Sequence, residues 1–88
     1  MFIIRWYPNC ITPIHGHTGL DCNFLVLRGN LQENLFYKKP DNIYFFVSST
    51  IIKENQSSHI NDSKGYHSIK NLSDDYSWSL HRYTKLIS

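Results

Sequence analysis

Turn-forming residues break this chain so often that only short strands fit between them. Prolines and an asparagine interrupt residues 7–13, Arg28-Gly29-Asn30 is a turn signal, and Pro40 sits in the polar stretch 38–42. Asn61-Asp62-Ser63-Lys64-Gly65 is a dense turn cluster. The runs between them are apolar, aromatic or β-branched: residues 2–7, 23–27, 31–37, 43–52, 66–72 and 78–83. No stretch sustains a helical period. Short strands with turns at regular intervals point to an all-β sandwich or barrel. Residues 31–37 read as the return strand of a hairpin begun by residues 23–27. Their alternation is imperfect, with Leu31, Glu33, Leu35 and Tyr37 on one face. Residues 43–52 read as one strand, or as two parted by Ser48-Ser49-Thr50. Residues 54–58 are polar and receive no strand.

The chain has 88 residues, enough for one domain and one core, so residues 1–88 are read as a single domain. Hydrophobic residues make up 41% and aromatics 15%, which can bury a core and argues against disorder. Nine basic and seven acidic residues are well mixed and give a net charge of +2. Neither nucleic acid nor a membrane is implied as a partner. No apolar run approaches a membrane span, and the opening residues 1–7 are too short for a signal-peptide core. The expectation is a cytoplasmic protein. Cys10 and Cys22 make no disulfide framework and are expected as free thiols or site residues. Trp6, Tyr7 and Phe24 are expected to pack the interior, and His59 to face solvent or cap a turn. The chain opens on a strand and closes soon after another, as a compact domain could and as a piece of a larger one could.

His15 and His17 carry the first chemical signal. They sit two apart on the extended segment 13–17, so their side chains share a face and both imidazoles can reach one ion. Two surface histidines on a loop would look the same. His67, which follows a glycine-containing turn and begins a strand, is the candidate third ligand.

At these residues the sequence resembles the cysteine dioxygenase family of cupin-type thiol dioxygenases. His15-x-His17, four residues, Cys22, six residues and Gly29 match the first cupin motif. Cys22 stands in the usual place of a metal-binding glutamate, a change specific to that family. Residues 65–71, with Gly65, His67 and Asn71, resemble the second motif. Leu27-Arg28-Gly29-Asn30-Leu31-Gln32-Glu33-Asn34-Leu35-Phe36 resembles the family's hairpin, and Ser79-Leu80-His81-Arg82-Tyr83 its C-terminal Ser-x-His-x-Tyr strand. The similarity runs over nearly the whole chain and is weak over residues 38–52.

The resemblance implies a small cupin (jelly-roll) β-barrel, here the C-terminal part of the family's fold. It implies Fe(2+) on His15, His17 and His67, and oxidation of L-cysteine by O2 to cysteine sulfinate. Neutral imidazoles suit divalent iron, open positions suit an oxygenase, and a sulfinate lies on the cysteine oxidation ladder. Cys22 and Tyr83 would be the family's thioether-linked pair. Ser79 and His81 would form a hydrogen-bonded relay to Tyr83, and period two puts 79, 81 and 83 on one strand face. The family members are expected to be monomers.

The chain also departs from the pattern. The family's carboxylate-binding arginine and tyrosine lie ahead of the segment matched, and Arg5, Arg28 and Arg82 do not replace that arginine, so the carboxylate site is unassigned. Thr84-Lys85 stand where the family has Ser-Pro, and Gly16 where an acidic residue is usual. The alternative function is therefore an inactive cupin remnant that binds metal or ligand only. Cys22 argues against a cupin isomerase or sugar-binding module, and the Cys22–Tyr83 pair favours cysteine over mercaptopropionate or cysteamine. With sheet edges uncovered, the chain is expected to be marginally stable or prone to aggregate.

Overall fold

Seven strands make up the regular structure of the computed structural model, which describes residues 1–17, 19–61 and 65–85. They are β1 (Phe2–Trp6), β2 (Leu20–Arg28), β3 (Leu31–Lys38), β4 (Tyr44–Ile52), β5 (Ser57–Ile60), β6 (Tyr66–Asn71) and β7 (Ser77–Lys85). They form two antiparallel sheets, one ordered β1-β7-β2-β5 and the other β4-β3-β6. The all-β, cupin-like expectation holds. Among the described residues, no helix is long and apolar enough to cross a membrane.

The core lies between the sheets. Trp6, Phe24 and Val26 come from the four-stranded sheet, and Leu31, Ile52 and Ile69 from the three-stranded one. Period two explains the choice on β2, where Cys22, Phe24 and Val26 point inward and Asn23 and Leu27 do not. Each large apolar side chain buried there contributes about 1.5–3 kcal/mol relative to an exposed one. Tyr7 departs from expectation. One residue past Trp6 its side chain leaves the core, stays 59% exposed and stands 5.4 Å from the Tyr76 ring, with Arg5 over both rings.

Two further readings are corrected. β3 is not the return strand of a hairpin with β2. The chain crosses at Gly29 from one sheet to the other, and β3 pairs with β4 and β6 instead. Gly29 has φ +89°, and a side chain there would strike the Ser77 hydroxyl. The corner's amides are met from other segments: Gly29 N donates to Glu54 Oε1 at 3.1 Å and Asn30 N to Ser73 Oγ at 3.2 Å. The second correction is β5, which pairs with β2 through a run of mostly polar residues. The stretch 44–52 is one continuous strand. Its irregularity falls opposite Leu35/Phe36, where Val47 is the extra residue, and not at the serines. The turn cluster at 61–65 lies partly outside the described residues.

The segment 10–15 is held along β6. Isolated bridges join Ile11 to Lys70 and His15 to His67. Thr12 N donates to Ile69 O at 2.9 Å, and Ile69 N donates to Thr12 Oγ1 at 2.9 Å. At the far end of β6, fully buried Asn71 ties three segments together. Its Nδ2 faces the carbonyls of Trp6, Tyr7 and Asp75, and its Oδ1 accepts from Ser77 Oγ at 2.7 Å. An asparagine four residues beyond His67 thus closes the far end of β6 in this chain.

Candidate functional site

The backbone pairing of His15 with His67 builds the site. Each donates its N–H to the other's carbonyl at 2.9 Å, so the two residues sit directly opposite with their side chains on one side. His17, two residues on, returns to the same face. Nε2 of His67 is 2.9 Å from Nε2 of His17 and 3.1 Å from Nε2 of His15. Ligand atoms of all three lie within 4.8 Å of one another. Between them, Gly16 packs against the Tyr66 ring, and a Cβ there would meet that ring at 2.8 Å. An acidic residue in its place would have to displace Tyr66.

The donor set fits a divalent metal ion. Two imidazole nitrogens at right angles on one ion, each about 2.1 Å from it, lie about 3.0 Å apart. The hydrogen bonds on the far side of the rings agree. His15 Nδ1 faces the Pro13 carbonyl at 2.9 Å, and His67 Nδ1 faces Glu33 Oε2 at 2.9 Å. Both partners are acceptors, so each Nδ1 carries a proton, and in the neutral form of either ring Nε2 presents a lone pair. Two lone pairs 3.1 Å apart repel unless a cation lies between them.

The three histidines open on a cavity of about 120 Å³ that Cys22, His81 and Tyr83 also line. Ile4, Trp6, Phe24 and Ile69 make its apolar wall.

Cys22 and Tyr83 face each other as register partners on β2 and β7. Burial pushes the Cys22 thiol up, opposed in part by its hydrogen bond with Tyr83. Burial likewise raises the Tyr83 phenol to about 12, and the Cys22 thiol adds to the shift. At neutral pH both groups therefore keep their protons.

His81 sits abreast of Phe2 on β1 and Phe24 on β2. Its ring is stacked between theirs, with centroids at 5.6 and 5.2 Å. Burial lowers its pKa to about 4, and the positive charge that His17 and His67 can carry lowers it further, so at neutral pH it is uncharged. Its Nε2 is 2.6 Å from Ser79 Oγ, which in turn accepts from Trp6 Nε1 at 2.7 Å. The Ser79–His81 link of the expected relay is thus present and extends to Trp6. Tyr83 does not join it by a hydrogen bond. Its ring lies 6.4 Å from that of His81, and the buried His81 Nδ1 has no hydrogen-bond partner among the described residues.

The three histidines, Cys22, His81 and Tyr83 line one cavity, so the comparison with known proteins bears on the whole arrangement. A family model described as "Cysteine dioxygenase type I" matches residues 1–87. The chain belongs to the cysteine dioxygenase type I family. It is 38% identical over 87 residues to the cysteine dioxygenase type 1 of Bos taurus, and 37% identical over 87 residues to that of Homo sapiens. With that of Danio rerio it shares 32% over 88 residues. Each alignment covers 96% of this chain and 44% of the relative, so the chain spans less than half the length of the curated relatives it matches.

Sequence reasoning brought together His15, His17, His67, Cys22, Ser79, His81 and Tyr83. It overlooked Glu33, whose signal was present, because an acidic residue in phase with Leu31 and Leu35 on the inward face asks for a buried partner. It also overlooked Phe2, whose place beside His81 is set by strand register. His59 is half-buried and pairs through Nε2 with Asp21 Oδ1 at 3.0 Å on the outer side of the sheet. Asp21 also accepts from Asn61 Nδ2 at 2.9 Å. Those two hydrogen bonds, Asn61's first, lower the Asp21 pKa. Cys10 is a free, half-buried thiol against the core.

Proposed function

We propose that this chain carries the iron(II) centre of a thiol dioxygenase that oxidises L-cysteine with O2 to cysteine sulfinate. The observation that carries the reading is the convergence of three imidazole Nε2 atoms beside the Cys22–Tyr83 pair in one small cavity. His15, His17 and His67 would hold the ion. When bound, ferrous iron supplies open positions and redox chemistry for a thiolate and dioxygen. The balance is one thiol and one O2 to one sulfinic acid, both oxygens ending on sulfur.

The protein's own groups support this chemistry in distinct ways. Ile4, Trp6, Phe24 and Ile69 give the cavity an apolar wall beside the three imidazoles. The Tyr83 phenol holds a proton at the cavity wall, where it can donate to a developing anion. Ser79 and the two flanking phenyl rings fix the neutral His81 ring beneath it. The Cys22 thiol and the Tyr83 ring are neighbours across a strand pair, which suits a thioether formed with loss of two hydrogens and dioxygen as oxidant.

One observation favours the second reading, an inactive remnant that binds metal or ligand only. The cavity lining among the described residues includes no lysine or arginine to take a substrate carboxylate. Iron analysis with oxygen uptake on L-cysteine separates the two. The enzyme reading expects one iron per chain, oxygen consumption and sulfinate in step with it, and iron without uptake supports the remnant.

A further inference from the structure

We propose that Glu33 is the anionic positioning residue of the metal centre: it orients His67 and supplies, from behind a ligand, the negative charge that the three imidazoles lack. The proposal rests on the metal-site reading above and adds a residue to it.

Glu33 lies on β3 between Leu31 and Leu35, on the face turned to the other sheet, and is 6% exposed. A carboxylate in that position is strongly disfavoured unless both oxygens are engaged and a positive partner is near. Both oxygens are engaged. Oε2 accepts from His67 Nδ1 at 2.9 Å, and Oε1 accepts from the Ser58 hydroxyl at 2.6 Å. Ser58 belongs to β5 in the facing sheet, so this hydrogen bond spans the sandwich and fixes the carboxylate's direction. β3 also pairs with β6 in a register that puts Leu35 opposite His67 and Glu33 opposite Ile69, which sets the glutamate diagonally across from the ligand.

The three ligands are not equivalent. His15 is oriented by a neutral carbonyl, that of Pro13. His67 is oriented by a carboxylate, which locks the Nδ1–H tautomer, makes its Nε2 the more basic donor, and completes a carboxylate–histidine–metal triad. Around a dication, three neutral imidazoles leave a charge of 2+, and Glu33 lowers the charge of the buried unit by one. The glutamate position of the first motif is taken by Cys22, and Glu33 returns that charge without occupying a coordination position.

Co2+ binding to the purified full chain tests this, by visible absorption against a competing chelator, with the metal-free thermal midpoint measured alongside. Glu33→Gln keeps an acceptor for Nδ1–H and removes the charge. It is expected to weaken Co2+ binding about 10- to 100-fold, and to raise the ferric/ferrous midpoint potential of the iron-loaded chain. Ser58→Ala leaves the charge and loosens its direction, with an expected loss of about threefold. Should Glu33→Gln fail to fold, Ser58→Ala still carries the test. A purely structural role would lower the midpoint of the metal-free chain and leave Co2+ affinity and the iron potential where they were. Folded variants that bind Co2+ like the wild type overturn the proposal and leave the metal site intact. A wild-type chain that takes up no Co2+ overturns both.

Discussion

The histidine cluster and strand β4 are opposites. Around the cluster, polar groups are buried: His67 is 2% exposed and Ser79 fully covered, and each is held by hydrogen bonds. Along β4, apolar groups are bare: Phe46 is 61% exposed and Val47 60%. β4 is also a sheet edge, and its nine residues include no charge, glycine or proline to discourage another strand from pairing. The comparison teaches that this fold is specified more by its site than by its surface. Burying Glu33, His67 and Ser79 is tolerable because each has a hydrogen-bond partner, and His81, partnered at Nε2 but not at Nδ1, is buried uncharged, whereas β4 presents an apolar edge that invites association.

The largest expected effect is at the cluster. His15→Ala removes one of the three proposed ligands while leaving the Glu33–His67 pair whole. Metal affinity should fall by at least about 100-fold, measured by competition on a chain whose circular dichroism still reports strand. Next comes the core beneath it. Phe24→Ala should cost about 3–5 kcal/mol in chemical denaturation and expose one face of His81.

A pH dependence follows from the same residue. The folded-state pKa of His81 lies near 4, below the ordinary value of 6.5. The unfolded chain therefore takes up its proton first as pH falls. The stability that neutral His81 contributes is complete above pH 6.5 and is lost progressively toward pH 4. Urea melts of the metal-free protein across that window should show the fall, and His81→Gln should make it shallower. The smallest change in folded-state stability is expected on β4. Val47→Lys should shift it by no more than about 0.5 kcal/mol, yet suppress concentration-dependent association seen by light scattering. If the wild type stays monomeric at high concentration, the contrast between the two regions loses its point.

Much of the site was legible because it obeys period two. His15 with His17, and Ser79 with His81 and Tyr83, could be placed on common faces from spacing alone. The Cys22–Tyr83 pairing came from the family resemblance. Glu33 shows a signal that was visible and unread, since its phase on β3 was known but a lone acidic residue passes for an irregularity. Other features were not legible in principle. The Gly29 corner looks the same locally whether the flanking strands pair or splay into two sheets. β5 is four residues, Ser57–Ile60, of which Ile60 alone is fully buried, so it has no hydrophobic alternation to detect. The stacking of Phe2 on His81 depends on the register of strands nearly 80 residues apart, which only the folded chain sets.

The most direct test of the account is the coordination of iron in the loaded chain, read by X-ray absorption at the metal edge. Three imidazole nitrogens at about 2.0–2.2 Å are predicted, with one of them lost in His67→Ala. A spectrum with no imidazole scattering, or one unchanged by that substitution, would contradict it.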